Sequence, residues 1–241
     1  MNNDIIHVLN KRVALAQPRE GFRTSMDAVF LGAACPVQSD QSVLDLGCGV
    51  GSAGLCVLTR VEDTQLYGLD ILPDVIELAR HNAALNAMEG RCTFALQDIR
   101  DFEGCTFDHV ICNPPFMAAG AHSPSPSPAR AKAIGFGEDD MDLKDWVDCA
   151  YRSIKGTGSL TLIHRADALD DIILALGKRF GDTEIIPLWP KAGRPAKRVL
   201  VRTRKHRKGA SIIHPGIVLH ETGGGYTPEA ENILRQCASI A

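Results

Sequence analysis

"VLDLGCGVGSAGLCVLTRV", residues 43–61, changes its periodicity halfway. Residues 43–46 are an apolar run too short for a helix, Gly47, Gly49 and Gly51 follow at alternate positions, and a helix-compatible stretch begins at Ser52. A strand, a glycine turn and a helix in that order open a unit whose strands run parallel, with helices crossing between them. The downstream chain repeats the alternation. "LYGLDI" at 66–71 reads as a strand, and "PDVIELARHNAALNAM" from Pro73 as a helix with proline in its first turn. "CTFALQDI" up to Asp98, "FDHVICN" up to Asn113 and "GSLTLIHR" at 158–165 supply three more strands, with a helix around "LKDWVDCAYRSI".

Such alternation predicts an α/β fold, a Rossmann-like doubly wound sheet with ligands at the carboxyl ends of its strands. Asp45, Asp70, Asp98 and Asn113 all fall at those ends. After Phe180 the pattern becomes "TEIIPLWP", the turn "KAGRPA" and "RVLVRTRK", an antiparallel β-hairpin that brings the expected strand count to seven. One domain over 1–241 accommodates all of this: an N-terminal extension (1–38), the α/β core (39–182), and a hairpin with a closing segment (183–241). "HSPSPSPARAKA" at 122–133 reads as an exposed Pro/Ser loop next to the substrate side.

Of the 241 residues 45% are hydrophobic and 23% charged, an ordinary globular composition. No apolar run approaches the about 18 residues that a membrane span needs, and the charged N-terminus lacks a secretion signal's apolar middle. A cytoplasmic protein with no membrane partner is expected. The eight cysteines form no C-x-x-C pair and mostly sit in apolar contexts, so they read as reduced core residues. His164, His206, His214 and His220 lack ligand spacing, and no metal site is expected. Trp146 and Trp189 read as packing residues. The net charge of −3 hides a segregation: Lys191–Lys208 carries nine of the 26 basic residues and no acid. Arg194, Lys197, Arg198, Arg202, Arg204 and Lys205 in that strip form a candidate contact for a polyanion. An alternative is a strand edge protected by charge.

The glycines admit two frames. Gly49, Gly51 and Gly54 satisfy G-x-G-x-x-G, the dinucleotide fingerprint, with Asp70 placed for a ribose. The frame from Gly47 instead gives D-x-G-x-G-x-G, with Asp45 two residues before the first glycine. Asp45 would repel a pyrophosphate but attract S-adenosylmethionine, which presents an ammonium and a sulfonium. In either frame the glycines admit a ligand close to the backbone. Asp70 is then the candidate for the ribose hydroxyls and Asp98 for the adenine amine.

"NPPF", residues 113–116, ends an apolar strand with two prolines that donate no backbone N–H. The residue before each proline is held extended, so Asn113, Pro114, Pro115 and Phe116 form a rigid end with an amide, a free carbonyl and an aromatic face.

"VLDLGCGVG", "GLD", "LQDI" and "NPPF", in that order, resemble the class I S-adenosylmethionine-dependent amino-methyltransferases. That resemblance implies a methyl-donor pocket from Asp45, Gly47, Gly49, Gly51, Asp70, Ile71, Asp98, Ile99 and Asn113. It also implies that the Asn113 side-chain oxygen and the Pro114 carbonyl accept two amine hydrogens while Phe116 stacks on the target plane. "QPREGFRTSMDAVFLGAA" at 17–34 and "HPGIVLHETGGGYTPEAENIL" at 214–234 further resemble the bacterial tRNA(Val) adenine-N6 methyltransferases. By that resemblance Arg23, Thr24 and Asp27 help shape the pocket, tRNA is the partner with the basic strip as its phosphate footprint, and Phe116 with Phe136 would stack a flipped adenine. A plainer role for Thr24 and Asp27 is a helix cap.

Three rivals stay open at this level. Glutamine N5-methylation of a protein release factor suits an NPP site equally well, and a silent RNA-binding module could retain the fold. A dehydrogenase leaves Asn113 to Phe116 unexplained.

Overall fold

The computed structural model describes residues 3–19, 23–115 and 141–240. Its centre is a sheet that carries the expected parallel strands β3 (Ser42–Leu46), β4 (Gln65–Asp70), β5 (Cys92–Leu96), β6 (Phe107–Cys112) and β7 (Ile154–Arg165). The expected hairpin is β8 (Phe180–Lys191) with β9 (Arg198–Lys205). Across the sheet the order is β5-β4-β3-β6-β7-β9-β8, and only β9 runs antiparallel to its neighbours. The order reverses between β3 and β6, which opens a crevice at their carboxyl ends.

Two features of the sheet exceed the seven-strand expectation. β10 (Ile212–Ile213) and β11 (Ile217–His220) both pair parallel to β8, so nine strands are joined. At the other end of the chain β1 (Asn3–Val8) and β2 (Val13–Pro18) form a separate antiparallel hairpin where only a pocket extension was expected. The helices α1 (Met26–Ala34), α2 (Ser52–Arg60), α3 (Pro73–Leu85), α4 (Leu143–Ser153), α5 (Leu169–Leu176) and α6 (Pro228–Gln236) complete the fold. Two large apolar clusters hold it: one joins α1, α2, α3 and α6 to the sheet, the other α4 and α5. All eight cysteines are free, six of them buried, as expected of core thiols. No helix among the described residues is long and apolar enough to cross a membrane, and none of those residues form a metal-ligating group.

The basic strip does not behave as one surface. β9 lies between β7 and β8, so charge protection of an exposed edge is not its role. Arg198 and Arg202 face α1. Arg198 donates to buried Asp27 at 2.9 Å in the first turn of α1. Arg202 pairs with Glu184 at 2.7 Å and also donates to the carbonyls of Ala34 and Ile240. These arginines thus clamp α1 at both ends, Arg202 satisfying a carbonyl that the helix terminus leaves without a partner. Lys205 points to the opposite face, donating to the Ile154 carbonyl at 2.8 Å and sitting over the Tyr151 ring. Arg204 is exposed at the amino end of the sheet, about 20 Å along the strand from Arg198. Of the six candidate contacts only Arg194 and Lys197 are exposed at the carboxyl end, in the β8–β9 turn, with the exposed Lys191 beside them at the end of β8.

Candidate active site

β3 ends beside β6 in register, Leu46 opposite Cys112, so the glycine loop and the Asn-Pro-Pro segment emerge from adjacent strand ends. Neighbouring strands lie about 4.8 Å apart, which places Gly47 and Asn113 side by side. One cavity spans the crevice, and Asp45, Gly47, Gly49, Asp70, Ile71, Ile99, Asn113 and Pro115 all line it. Gly47 (φ +63°) and Gly49 (φ +54°) occupy the left-handed region that favours glycine. A Cβ on Gly47 would overlap the indole of Trp146, whereas at Gly49 it would meet no atom. Gly49 therefore leaves space for a ligand, and Trp146 is a cavity wall rather than a packing residue alone. Gly51 (φ +83°) closes the turn, donating to the Cys48 carbonyl, and stands at the N-cap of α2 without lining the cavity.

The three acids meet different fates. Asp45 is buried and accepts the Gly54 amide at 3.1 Å. Loss of water raises its pKa from the usual 3.8 to about 7, reinforced by the nearby charge of Asp70. Asp70 accepts the Gly49 amide and the Leu72 amide, each at 3.0 Å, and burial pushes its carboxyl upward too. It thus ties the second strand end to the glycine turn. Asp98 instead pairs with the Arg100 guanidinium at 2.7 Å and caps a short 3-10 helix, and that pairing holds its pKa low. Its neighbours Gln97 and Ile99 line the cavity and Asp98 does not. A buried and a half-buried carboxyl group beside an open glycine turn suit a cationic ligand with hydroxyls and disfavour a pyrophosphate.

At the end of β6 the Asn113 side-chain oxygen is buried without a hydrogen-bond partner among the described residues. An orphan acceptor of that kind costs about 1–3 kcal/mol unless a ligand completes it. Pro114 is buried and Pro115 lines the cavity. Phe116, Phe136 and the 122–133 segment lie outside the described residues.

The N-terminal extension reaches the cavity through contacts that no motif announces. On α3, the Asn82 amide accepts from the Ala16 amide and donates to the Ala16 and Val50 carbonyls at 2.7–3.0 Å. Asn86 repeats the pattern on Ala14 at 2.9 and 2.7 Å. Residues four apart on the helix match residues two apart on β2, so two amides replace the strand partner that β2 lacks. Asn82, fully buried, also fixes Val50 of the glycine loop, each bond contributing about 1 kcal/mol. Gln17 accepts from the Thr24 amide, and the Thr24 hydroxyl meets Ser52 at 2.6 Å, bringing Thr24 to the cavity wall. The helix cap is Ser25, accepting from the Asp27 amide, in place of the expected Thr24 with Asp27. Arg23 is exposed and lies 3.6 Å from Asp4, outside the cavity lining.

Comparisons with known proteins converge on this crevice. Residues 27–126 match the methyltransferase small domain, a span from α1 through the Asn-Pro-Pro segment. A tRNA1(Val) (adenine(37)-N6)-methyltransferase of Porphyromonas gingivalis is 28% identical, the match covering 91% of this chain and 89% of that one. The enzyme of that name from Aeromonas salmonicida is 27% identical, with 90% of each covered. Among solved structures, a predicted O-methyltransferase from Agrobacterium tumefaciens superposes with a TM-score of 0.74 at 26% identity, over 90% of this chain and 98% of that one. A SAM-dependent O-methyltransferase from Thermotoga maritima shares the fold with a TM-score of 0.57. With an open glycine turn, the carboxyls of Asp45 and Asp70 and an amide oxygen that has no partner among the described residues in one crevice, the chain has the class I methyltransferase fold, and residues 27–126 within it match the methyltransferase small domain.

Proposed function

We propose that this enzyme methylates the exocyclic N6 amine of an adenine in tRNA, in the anticodon loop of tRNA(Val). The observation that carries the reading is the Asn113 oxygen, buried and without a partner among the described residues, beside the glycine loop. It is an acceptor waiting for a donor; an exocyclic amine carries two N–H donors, enough for this oxygen and the Pro114 carbonyl together, whereas a hydroxyl carries a single O–H. The likeness over nearly the whole chain to two enzymes named for that reaction supports the choice of amine.

S-adenosylmethionine, when bound, supplies a methyl group made electrophilic by its sulfonium. Asp45 would face its positive charge, Asp70 its ribose hydroxyls, and Gly49 would leave it room. The chain's own task is to present the amine. A conjugated amine is a poor nucleophile because its lone pair is delocalised into the ring. The Asn113 oxygen and the Pro114 carbonyl, each accepting one hydrogen, favour a pyramidal nitrogen and stabilise the positive charge that develops on attack. Two prolines keep that carbonyl and amide from moving, and the surplus proton leaves to solvent after transfer.

Of the candidate RNA contacts we retain Arg194 and Lys197, since they are exposed at the end of the sheet that carries the site. Incubating labelled S-adenosylmethionine with unmodified tRNA and, separately, with a release factor should put label only into N6-methyladenosine. Label in glutamine would replace this reading. If the tRNA is the substrate, neutralising Arg194 and Lys197 together should reduce the slope of log affinity against log salt by about 1.4–1.8. An unchanged slope would remove the turn from the interface.

A further inference from the structure

β11 runs parallel to β8 with His220 opposite Lys191, so the chain leaves β11 at the same sheet end as the active site. There a tight turn returns Tyr226 onto His220, the Glu221 amide donating to the Gly225 carbonyl at 2.8 Å. The two rings stack at 4.8 Å and 22°. With one face covered by the imidazole, Tyr226 is still 41% exposed. Its outward side is thus open to a second partner. The exposed ring lines a second cleft, together with His7, the exposed Lys11 and Arg235, whose charge Glu231 takes at 2.6 Å. Thr24 and Ser25 line this cleft and also the methyl-donor cavity, so one wall of two residues separates the two. Lys191, Arg194 and Lys197 are exposed on the neighbouring strand end and turn.

We infer that Tyr226 is a stacking platform for a second, unpaired base of the RNA, one flanking the adenine that enters the active site. The inference rests on the RNA reading above and adds where the rest of the loop goes. Single-stranded RNA is held by aromatic faces that take bases and by cations that take the phosphates between them. Here the ring, pre-ordered by His220, supplies the face. Lys11 on one side and Lys191 with the β8–β9 turn on the other supply the cations. A base that stacks here leaves the loop's own stack, which helps to hold the target adenine unstacked on the other side of the Thr24–Ser25 wall.

The test uses an anticodon stem-loop hairpin with 2-aminopurine at each position flanking the target adenine, titrated with full-length enzyme. At one flanking position the fluorescence should be quenched on binding. Tyr226→Ala should lose that quenching and bind the hairpin about tenfold or more weakly, while Tyr226→Phe, which keeps the ring, should retain both. Equilibrium binding of S-adenosylmethionine by each variant checks that the fold is intact. Equal quenching and affinity in Tyr226→Ala would overturn the platform, as would a wild type that methylates the adenine with no flanking quench. A wild type that binds no hairpin and instead labels a release factor would overturn the RNA reading and the platform with it.

Discussion

Asn113→Ala is expected to lower kcat for methyl transfer about 10²–10³-fold, the range for removing one preorganised polar contact to developing charge. Binding of S-adenosylmethionine should change little. The separation follows from the geometry: Asn113 stands at the end of β6, whereas the carboxyl groups and the open glycine turn belong to β3 and β4. The substitution also removes a buried acceptor with no partner in the described structure, so the free enzyme should lose no stability and could gain up to about 1–3 kcal/mol. That combination of slower chemistry and equal or better thermal stability distinguishes an acceptor kept for substrate from one kept for folding. Asn113→Asp keeps an acceptor of the same shape and should fall between alanine and the natural residue in kcat. Single-turnover rates and thermal midpoints for the three proteins decide the matter. Wild-type turnover in Asn113→Ala would remove the amide from the mechanism.

What could be read in advance follows a physical division. The core strands and the glycine loop were legible because period-2 apolar runs, glycines and strand-end acids are local signals that survive without knowledge of tertiary partners. Asp45, Asp70 and Asn113 were singled out in this way, and the crevice brings them together. Residues whose role is set by distant partners were not legible. Asn82 lies 66 positions from Ala16, and nothing near "ARHNAALN" distinguishes a buried amide that braces a strand from a solvated one. Trp146 reads as core until Gly47 is seen beneath its ring. The basic run misled for the same reason. Nine cations in one stretch look like a surface, yet a strand carries them in alternate directions and through 20 Å or more, and the arginines at 198 and 202 find acids and carbonyls around α1. Asp98 shows the converse case. Its position at a strand end suggested an adenine contact, but Arg100 two residues on takes its carboxylate. β10 and β11 are two and four residues long, too short to announce themselves.

Asp45 should make cofactor affinity depend on pH in a window set by burial. The usual carboxyl value of 3.8 applies to the unfolded chain, and the folded value is about 7. Between them the folded state holds a proton that the unfolded state has lost, so the free enzyme loses stability as pH rises through this window, by about 1.4 kcal/mol per unit. Summed over the window the effect is about 4 kcal/mol. A cationic ligand reverses the preference, because it binds the carboxylate and must displace that proton below pH 7. The dissociation constant of S-adenosylmethionine should therefore rise toward tenfold per unit as pH falls from 7 to 5, and flatten between 7 and 8. Asp45→Asn retains an oxygen for the Gly54 amide but carries no charge. It should bind the cofactor on the order of 10²-fold more weakly, with the wild-type pH slope gone, and be more stable than wild type at pH 8. Calorimetric binding and thermal unfolding across pH 5–8 read both quantities on the same two proteins. Retention of the slope in Asp45→Asn would assign the titration to another group, Asp70 being the nearest carboxyl in the cavity. Loss of the slope together with a gain in stability would show that the enzyme keeps a destabilising buried acid because the methyl donor is a cation.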